Sequence, residues 1–407
     1  MEGSTGMLAA LPAHSLTHLD LRGLHGPVHG PAVSAALARL TNLQRLRVAI
    51  WRAPYSCLAG VAQLNQLTWL ELGGSWAGDC EQLLQLLAQL LPLQVLHLHI
   101  SSSLPSLDLS RLTQLRELHD FMNHCDAVFP PQLQQLELGD VPSATTLQSV
   151  MQLQQLRRLM LAADLDVNEP RQLLSSLAQL PALQQLSLRY ATGQFAAAAA
   201  ATWPQLPQLC ELAVCCSSYE EPNRQAWLAI ANCMAASTKL ELDAVCICDG
   251  EDDEGEDVDA TWASPCAKLA GLTYLKDLSI RCGSELLAPG DALALTALTG
   301  VRRLVLYGDG AGVGDEAAAA LASSCQQLHE LDLRSCSLVS MACLSNVAHL
   351  TQLTELWLAG NSGPTPQGLM LLTGLKRLQI LGVDRDAEVT DEVVESFWAA
   401  VTGQQQL

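Results

Sequence analysis

Residues 328–336 read LHELDLRSC, and residues 353–361 read LTELWLAGN. In both, Leu stands first, fourth and sixth, and a Cys or Asn stands ninth. Alternate side chains of an extended chain face opposite ways. The fourth and sixth leucines therefore enter one side, and the third, fifth and seventh residues leave by the other. Two leucines cannot make a core alone, but stacked copies of such a unit can.

The unit recurs along the chain. It opens as LTHLDL (16–21) and LQRLRV (43–48), then continues as LTWLEL (67–72), LQVLHL (93–98), LRELHD (115–120), LQQLEL (133–138), LRRLML (156–161), LQQLSL (183–188) and LCELAV (209–214). A degenerate STKLEL (237–242) follows, then LKDLSI (275–280), VRRLVL (301–306), LHELDL, LTELWL and LKRLQI (375–380). Those fifteen copies run from Leu19 to Leu378 at the fourth position, a mean step of about 26 residues. Between copies, GDEAAAALASSCQQ (314–327) and PRQLLSSLAQLP (170–181) carry apolar residues at helical spacing behind an Asp or Pro suited to a helix start. The expected fold class is α/β: a solenoid of about fifteen repeats, horseshoe-shaped, with a concave parallel sheet and convex helices.

These copies resemble the leucine-rich repeat family over residues 16–401. The stretch 315–338 looks like the cysteine-containing repeats of F-box substrate receptors and, less closely, ribonuclease-inhibitor-type repeats. The resemblance implies an Asn or Cys ladder at the ninth position, filled by Asn123, Cys336 and Asn361. Trp51, Ser75, Val141, Ala191 and Gly283 hold that position elsewhere, so irregular curvature is expected. Residues 1–15 read as an N-terminal segment or cap. Residues 402–407, TGQQQL, read like the start of another copy, so either the helix over 391–401 caps the stack or the chain is part of a longer one.

The chain has 407 residues and a net charge of −20, with 22 basic residues against 42 acidic ones. That balance argues against nucleic acid and anionic membranes as partners, since both call for a basic surface. There are 14 cysteines, but no N-x-[ST] sequon and no basic, apolar leader. A reducing, cytoplasmic setting is expected rather than secretion. The most apolar run, 83–93, is interrupted by Gln85, Gln89 and Pro92, so no membrane span is expected.

Residues 248–260, CDGEDDEGEDVDA, hold Asp249, Glu251, Asp252, Asp253, Glu254, Glu256, Asp257 and Asp259. An EF-hand register fails, because a loop starting at Asp249 has Glu254 where Gly is needed and Ala260 where Glu is needed. The step from Leu240 to Leu278 is also the longest in the series. The stretch 249–259 thus reads as a solvated acidic insertion loop, with docking to a basic partner as its functional option.

Catalytic motifs are missing. The glycines of VLYGDGAGVGDE (305–316) put Val313 or Asp315 where a dinucleotide fingerprint needs Gly, and a repeat loop leading to a helix capped by Asp315 explains them. No C-x-x-C, H-E-x-x-H or G-x-S-x-G is present. A non-enzymatic protein with no cofactor and no bound metal is expected, its cysteines mostly structural.

Function then falls to the outward positions. Tyr307 and Trp357 stand among Arg303, Arg334 and Arg377 on adjacent strands, and Trp, Tyr and Arg are the residues most enriched in interface hot spots. Trp69 and Phe121 are assigned to the same protein-binding face. The ordinary reading of the charges is lateral neutralisation along Glu211, Lys239, Asp277, Arg303 and Glu330, which alternate in sign. His97, His99 and His119 form a second cluster. A metal or pH-sensing site is the sharper reading of it, stacked and solvated histidines the ordinary one.

The expected function is an intracellular protein-binding scaffold. The alternatives are the substrate-recognition arm of an SCF-type ubiquitin ligase, whose F-box has no counterpart in these residues, and a cytoskeletal or axonemal repeat protein.

Overall fold

The computed structural model describes residues 8, 10–24, 29–50, 53–74, 76–77, 80–100, 104–120, 124–139, 143–165, 170–190, 206–216, 230, 234, 237–244, 265–282, 290–308 and 313–403. Phe121, Asn123 and the acidic stretch 249–259 lie outside them. Two compact units make up the chain, residues 1–165 with 176–188, and residues 166–175 with 189–407.

The first unit carries the strands His18–Leu24, Arg45–Ile50, Trp69–Gly74, Val95–Ile100, Glu117–Asp120, Gln135–Leu138, Arg158–Leu165 and most of Gln185–Tyr190. The second carries Glu211–Cys216, Lys239–Ala244, Asp277–Cys282, Arg303–Tyr307, Glu330–Asp332, Glu355–Trp357 and Ile380–Gly382. These are the fifteen strands of a parallel sheet in chain order, one for each copy of the repeat.

The register pairs each fourth-position leucine with the next. Leu19, Leu46, Leu70, Leu96, Leu118, Leu136 and Leu159 form one such row. Leu212, Leu240, Leu278, Leu304, Leu331, Leu356 and Leu381 form the other. Leu46, Leu70, Leu96, Leu118, Leu240, Leu278 and Leu356 are all 0% exposed. Burial of each stabilises by roughly 1.5–3 kcal/mol, so the inward row is the core. A repeated backbone clasp locks this register. The N–H groups of the second and third residues of one copy share the second-position carbonyl of the copy before, as Gln44 and Arg45 do with Thr17 at 2.8 and 3.0 Å.

The last copy departs from the expected frame. Glu355 pairs with Ile380 and Leu356 with Leu381, and the N–H groups of Gln379 and Ile380 share the Thr354 carbonyl at 2.8 and 3.1 Å. The repeat there is LQILGV (378–383), three residues later than LKRLQI. Leu378 opens it, and Arg377 precedes it.

Connectors also vary. Helices Gly30–Ala38, Cys80–Leu87, Pro170–Leu177, Asp315–Ser324 and Met341–Val347 follow the expected plan, while Tyr55–Gln63 and Asp291–Ala297 wind more tightly as 3₁₀ turns. Between Leu96 and Leu136 the steps are short, and Leu104–Asp108 and His124–Val128 pair in parallel instead. An α-helix advances only about 1.5 Å per residue against about 3.3 Å for a strand, so a short connector spans the repeat only when extended.

The helix over 315–324 has Gly314, not Asp315, at its N-cap. The Asp315 carboxylate instead accepts from the N–H groups of Val339 and Ser340 at 3.1 and 3.3 Å, tying one repeat to the next. Side-chain caps do occur at Ser143, Ser340 and Thr365. The final helix, Asp391–Gly403, covers the last repeats with Phe397, which is fully buried.

The ladder expected at the ninth position is present at both described sites. Asn361 Nδ2 donates to the carbonyls of Leu333 and Leu358 at 2.7 and 2.8 Å, and its Oδ1 accepts from the Leu338 N–H at 3.1 Å. Cys336 Sγ donates to the Leu306 carbonyl at 3.1 Å. Asn361→Ala strands these backbone groups beside fully buried leucines. It should cost about 2 kcal/mol, read as a lower urea midpoint with an unchanged far-UV spectrum.

Candidate functional site

In the second unit, sequence forces one arginine into a fixed pose. Asp332 and Arg334 are the fifth and seventh residues of LHELDLR, so both leave the strand by its open side. Asp332 is only 2% exposed. Its carboxylate accepts from Arg334 Nε at 3.0 Å, Arg334 Nη2 at 2.7 Å and the Arg334 N–H at 3.1 Å. This two-pronged pair holds the guanidinium plane still. The bonds to Asp332 raise the Arg334 pKa above its ordinary value, against burial, so the group is a permanent cation.

Aromatic rings flank that plane from the neighbouring strands. The Arg334 guanidinium carbon lies 5.3 Å from the Tyr307 ring centre and 5.1 Å from that of Trp357. Both distances fall within cation–π range. Tyr307 is 40% exposed, and Trp357 is half-buried. Behind Trp357 lies Gly382, the fifth residue of the last copy. A Cβ built there would sit 2.2 Å from the indole Cε3, so glycine provides the space in which the ring lies. Tyr307, Arg334 and Trp357 therefore form a rigid, partly exposed patch of flat surfaces around one charge.

The other residues assigned to the face separate from this patch. Arg303 is taken up by neutralisation, with Nη1 3.0 Å from Asp277 and Nε 2.8 Å from Glu330. Lys239 continues that ladder toward Glu241 at 3.3 Å and Asp277 at 4.0 Å. Arg377 is off the strand altogether, exposed in the turn before Leu378, where Nη1 donates to Gln352 Oε1 at 2.6 Å. Asp384 takes the seventh position in its place and accepts from the Gly360 N–H at 2.5 Å.

Trp69, in the first unit, is 9% exposed and offers little surface. The guanidinium groups of Arg45 and Arg47 lie 4.7 and 4.9 Å from its ring centre, and His97 packs 5.1 Å away. Arg47 in turn pairs with Glu71 at 3.0 Å.

The histidines do meet. His97 and His119 sit opposite each other on paired strands, with ring centres 4.1 Å apart and planes tilted by 31°. His99 lies further off, 6.3 Å from His97. Two carboxylates complete the cluster, from the third residue of LRELHD and the fifth of LQQLEL. Glu117 Oε1 lies 2.8 Å from His119 Nε2 and 3.6 Å from His97 Nε2, and Glu137 Oε2 lies 2.6 Å from His119 Nδ1. The bond to Glu137 raises the His119 pKa, burial and the neighbouring His119 lower that of His97, and the bond from His119 lowers that of Glu137.

Cys57, Cys210, Cys325 and Cys343 are thiols outside any disulfide. Burial pushes the Cys325 thiol up to about 11, and burial together with Asp315 pushes Cys343 to about 12. At pH 8 both should resist iodoacetamide in the folded protein, on the order of a thousandfold below an ordinary thiol, while exposed Cys210 is alkylated. Peptide mass spectrometry reads the pattern directly.

Among the described residues, no helix is long and apolar enough to cross a membrane. No protein-family model matches the sequence, and no curated protein matches it. Solved structures do match. A Listeria monocytogenes internalin is 17% identical over 87% of this chain and 89% of its own, with a TM-score of 0.46. A Leptospira interrogans LRR protein is 18% identical over 94% and 87%, with a TM-score of 0.46. TLR13, in complex with an RNA termed ssRNA13, is 18% identical over 86% of this chain and 54% of its own, with a TM-score of 0.50. At these identities the likeness is one of fold. With the stacked strands, leucine rows and ninth-position ladder already described, the chain has the leucine-rich repeat fold.

Proposed function

We propose that the protein is a non-enzymatic binding scaffold that grips a protein partner on the open face of its sheet, centred on Tyr307, Arg334 and Trp357. The supporting observation is the fixed Arg334 plane between two aromatic rings, at least one of them well exposed. Pre-positioned aromatic and arginine groups lose little conformational freedom on binding, which makes them efficient anchors. The net charge of −20 favours a protein over a nucleic acid, and the carboxylates of 249–259 favour a partner with a basic segment. On this reading the protein works in the cytoplasm.

Proximity labelling with the full chain, alongside an Arg334→Ala/Trp357→Ala variant at equal expression, tests it. A set of proteins labelled by the parent and lost with the variant is expected, and identical labelling would overturn the assignment. Enrichment of a cullin adaptor would specify the ubiquitin-ligase arm. Enrichment of tubulin or dynein components would specify the cytoskeletal or axonemal role.

A further inference from the structure

We propose that His97, Glu117 and His119 form a binding site for one divalent transition-metal ion of the zinc class, oriented by Glu137. The site is separate from the patch around Arg334. One donor atom from each of the three residues lies within 4.8 Å of the other two. The pairing of strands Val95–Ile100, Glu117–Asp120 and Gln135–Leu138 holds all four side chains on the same open side.

The distances between the donor atoms carry the inference. His119 Nδ1 lies 2.6 Å from the Glu137 carboxylate, so that nitrogen bears the hydrogen. In the neutral imidazole its other nitrogen, Nε2, points a lone pair at Glu117 Oε1, only 2.8 Å away and itself an acceptor. His97 Nε2, buried and with no hydrogen-bond partner, faces the same oxygen from 3.6 Å. In that state three electron-rich atoms converge with nothing positive between them. A second proton on His119 would satisfy its contact with Glu117, and the raised pKa of that imidazole favours it. The proton does nothing for His97 Nε2, which remains buried and without a hydrogen-bond partner. A metal ion satisfies all three at once.

The chemistry of the donors suits zinc. Two imidazoles and a carboxylate make a borderline set, and zinc sites with three protein ligands leave a fourth position open. Bond lengths of about 2.0–2.2 Å place tetrahedral donors roughly 3.3 Å apart, between the 2.8 and 3.6 Å that separate the two imidazoles from Glu117 Oε1, and all three donors already lie within 4.8 Å of one another. The imidazole–carboxylate bond from His119 to Glu137 is the usual outer support of a metal-bound histidine, fixing its tautomer and orientation. Glu71, opposite His97 on the next strand, adds further negative charge, though Arg47 shares it.

The test is competitive titration of Zn²⁺ against a chromophoric chelator on the full chain, with the visible spectrum of added Co²⁺ as a second readout. The parent should bind one Zn²⁺ and give the intense Co²⁺ bands of a four-coordinate site. Glu117→Gln and His97→Phe should each weaken binding at least tenfold, Glu137→Gln about tenfold through lost orientation, and His99→Ala should leave it unchanged. Thermal melts without metal identify any variant that fails to fold. Histidine ring NMR on the parent needs no variant, and His97 and His119 should shift first as zinc is added. A parent whose His97 and His119 signals do not move, or whose zinc affinity matches that of folded Glu117→Gln, overturns the proposal.

Discussion

Gly60→Ala should destabilise the first unit by about 3 kcal/mol, toward the upper end of what overpacking one methyl group into a packed interior costs. Gly60 lies in the 3₁₀ segment Tyr55–Gln63, which packs against the helix Gly30–Ala38. A Cβ there would stand 1.9 Å from the Ser34 carbonyl oxygen, 2.8 Å from its carbon and 3.0 Å from the Ala38 nitrogen. All three are backbone atoms, so no side chain can turn aside, and the two segments must separate. Val33, Leu37, Leu58 and Val61, each 0–1% exposed, would lose contact as they do. Thermal melting should show a lowered first transition, and hydrogen exchange should place the loss in residues 30–64. Because a repeat is coupled mainly to its neighbours, exchange in residues 303–382 should change little.

The second large effect is on binding. Removing Arg334 and Trp357 together should weaken the partner complex more than a hundredfold, about 3 kcal/mol, the scale of a hot-spot cluster. The single variants should not add. Arg334→Ala leaves the Asp332 carboxylate, 2% exposed, without its cation, and so disturbs the site as well as the contact. Trp357→Ala removes the ring but leaves the Asp332–Arg334 pair intact. Gly382→Ala, which touches neither residue chemically, should mimic much of the Trp357 loss by driving the indole out of its place. A double-mutant cycle over Arg334 and Trp357, read by surface plasmon resonance, reports their coupling.

The leucine spacing made most of this fold readable. Fourteen copies took their strands in the expected frame because the first, fourth and sixth positions admit one alignment, and a slip of one residue would turn every leucine to solvent. The last copy failed for a local reason. Leu375, Leu378 and Leu381 are evenly spaced by three, so two frames fit, and only the backbone clasp onto Thr354 selects the later one. The short connectors that became extended pairs were visible as short steps, but repeat length alone does not say what replaces a helix.

The candidate site was readable in part. Strand register alone brings Tyr307, Arg334 and Trp357 together. The fork of Asp332 and Arg334 also has a sequence signal, since LTHLDLR at 16–22 makes the same one, with Arg22 Nη2 2.7 Å from Asp20 Oδ2. Among the described residues, the later copy alone has aromatic rings beside its fork. Arg303 and Trp69 stand apart from the patch because outward position is not exposure. Arg303 had acids on both sides, and Trp69 had Arg45 directly opposite on the next strand with Arg47 beside it. The meeting of His97 and His119 followed from register, whereas the choice of Glu117 and Glu137 as their partners rests on side-chain rotamers that spacing does not encode.

Hydroxyl-radical footprinting of the isolated complex tests the central claim most directly, because it reads the contact surface of the unaltered chain. Binding through the open face predicts that Trp357 and Tyr307 are oxidised in the free protein and protected in the complex, while Trp398, on the final helix, and Tyr274, in the turn before the strand Asp277–Cys282, change little. Unchanged oxidation of Trp357 and Tyr307, with protection confined to the helices, would contradict it.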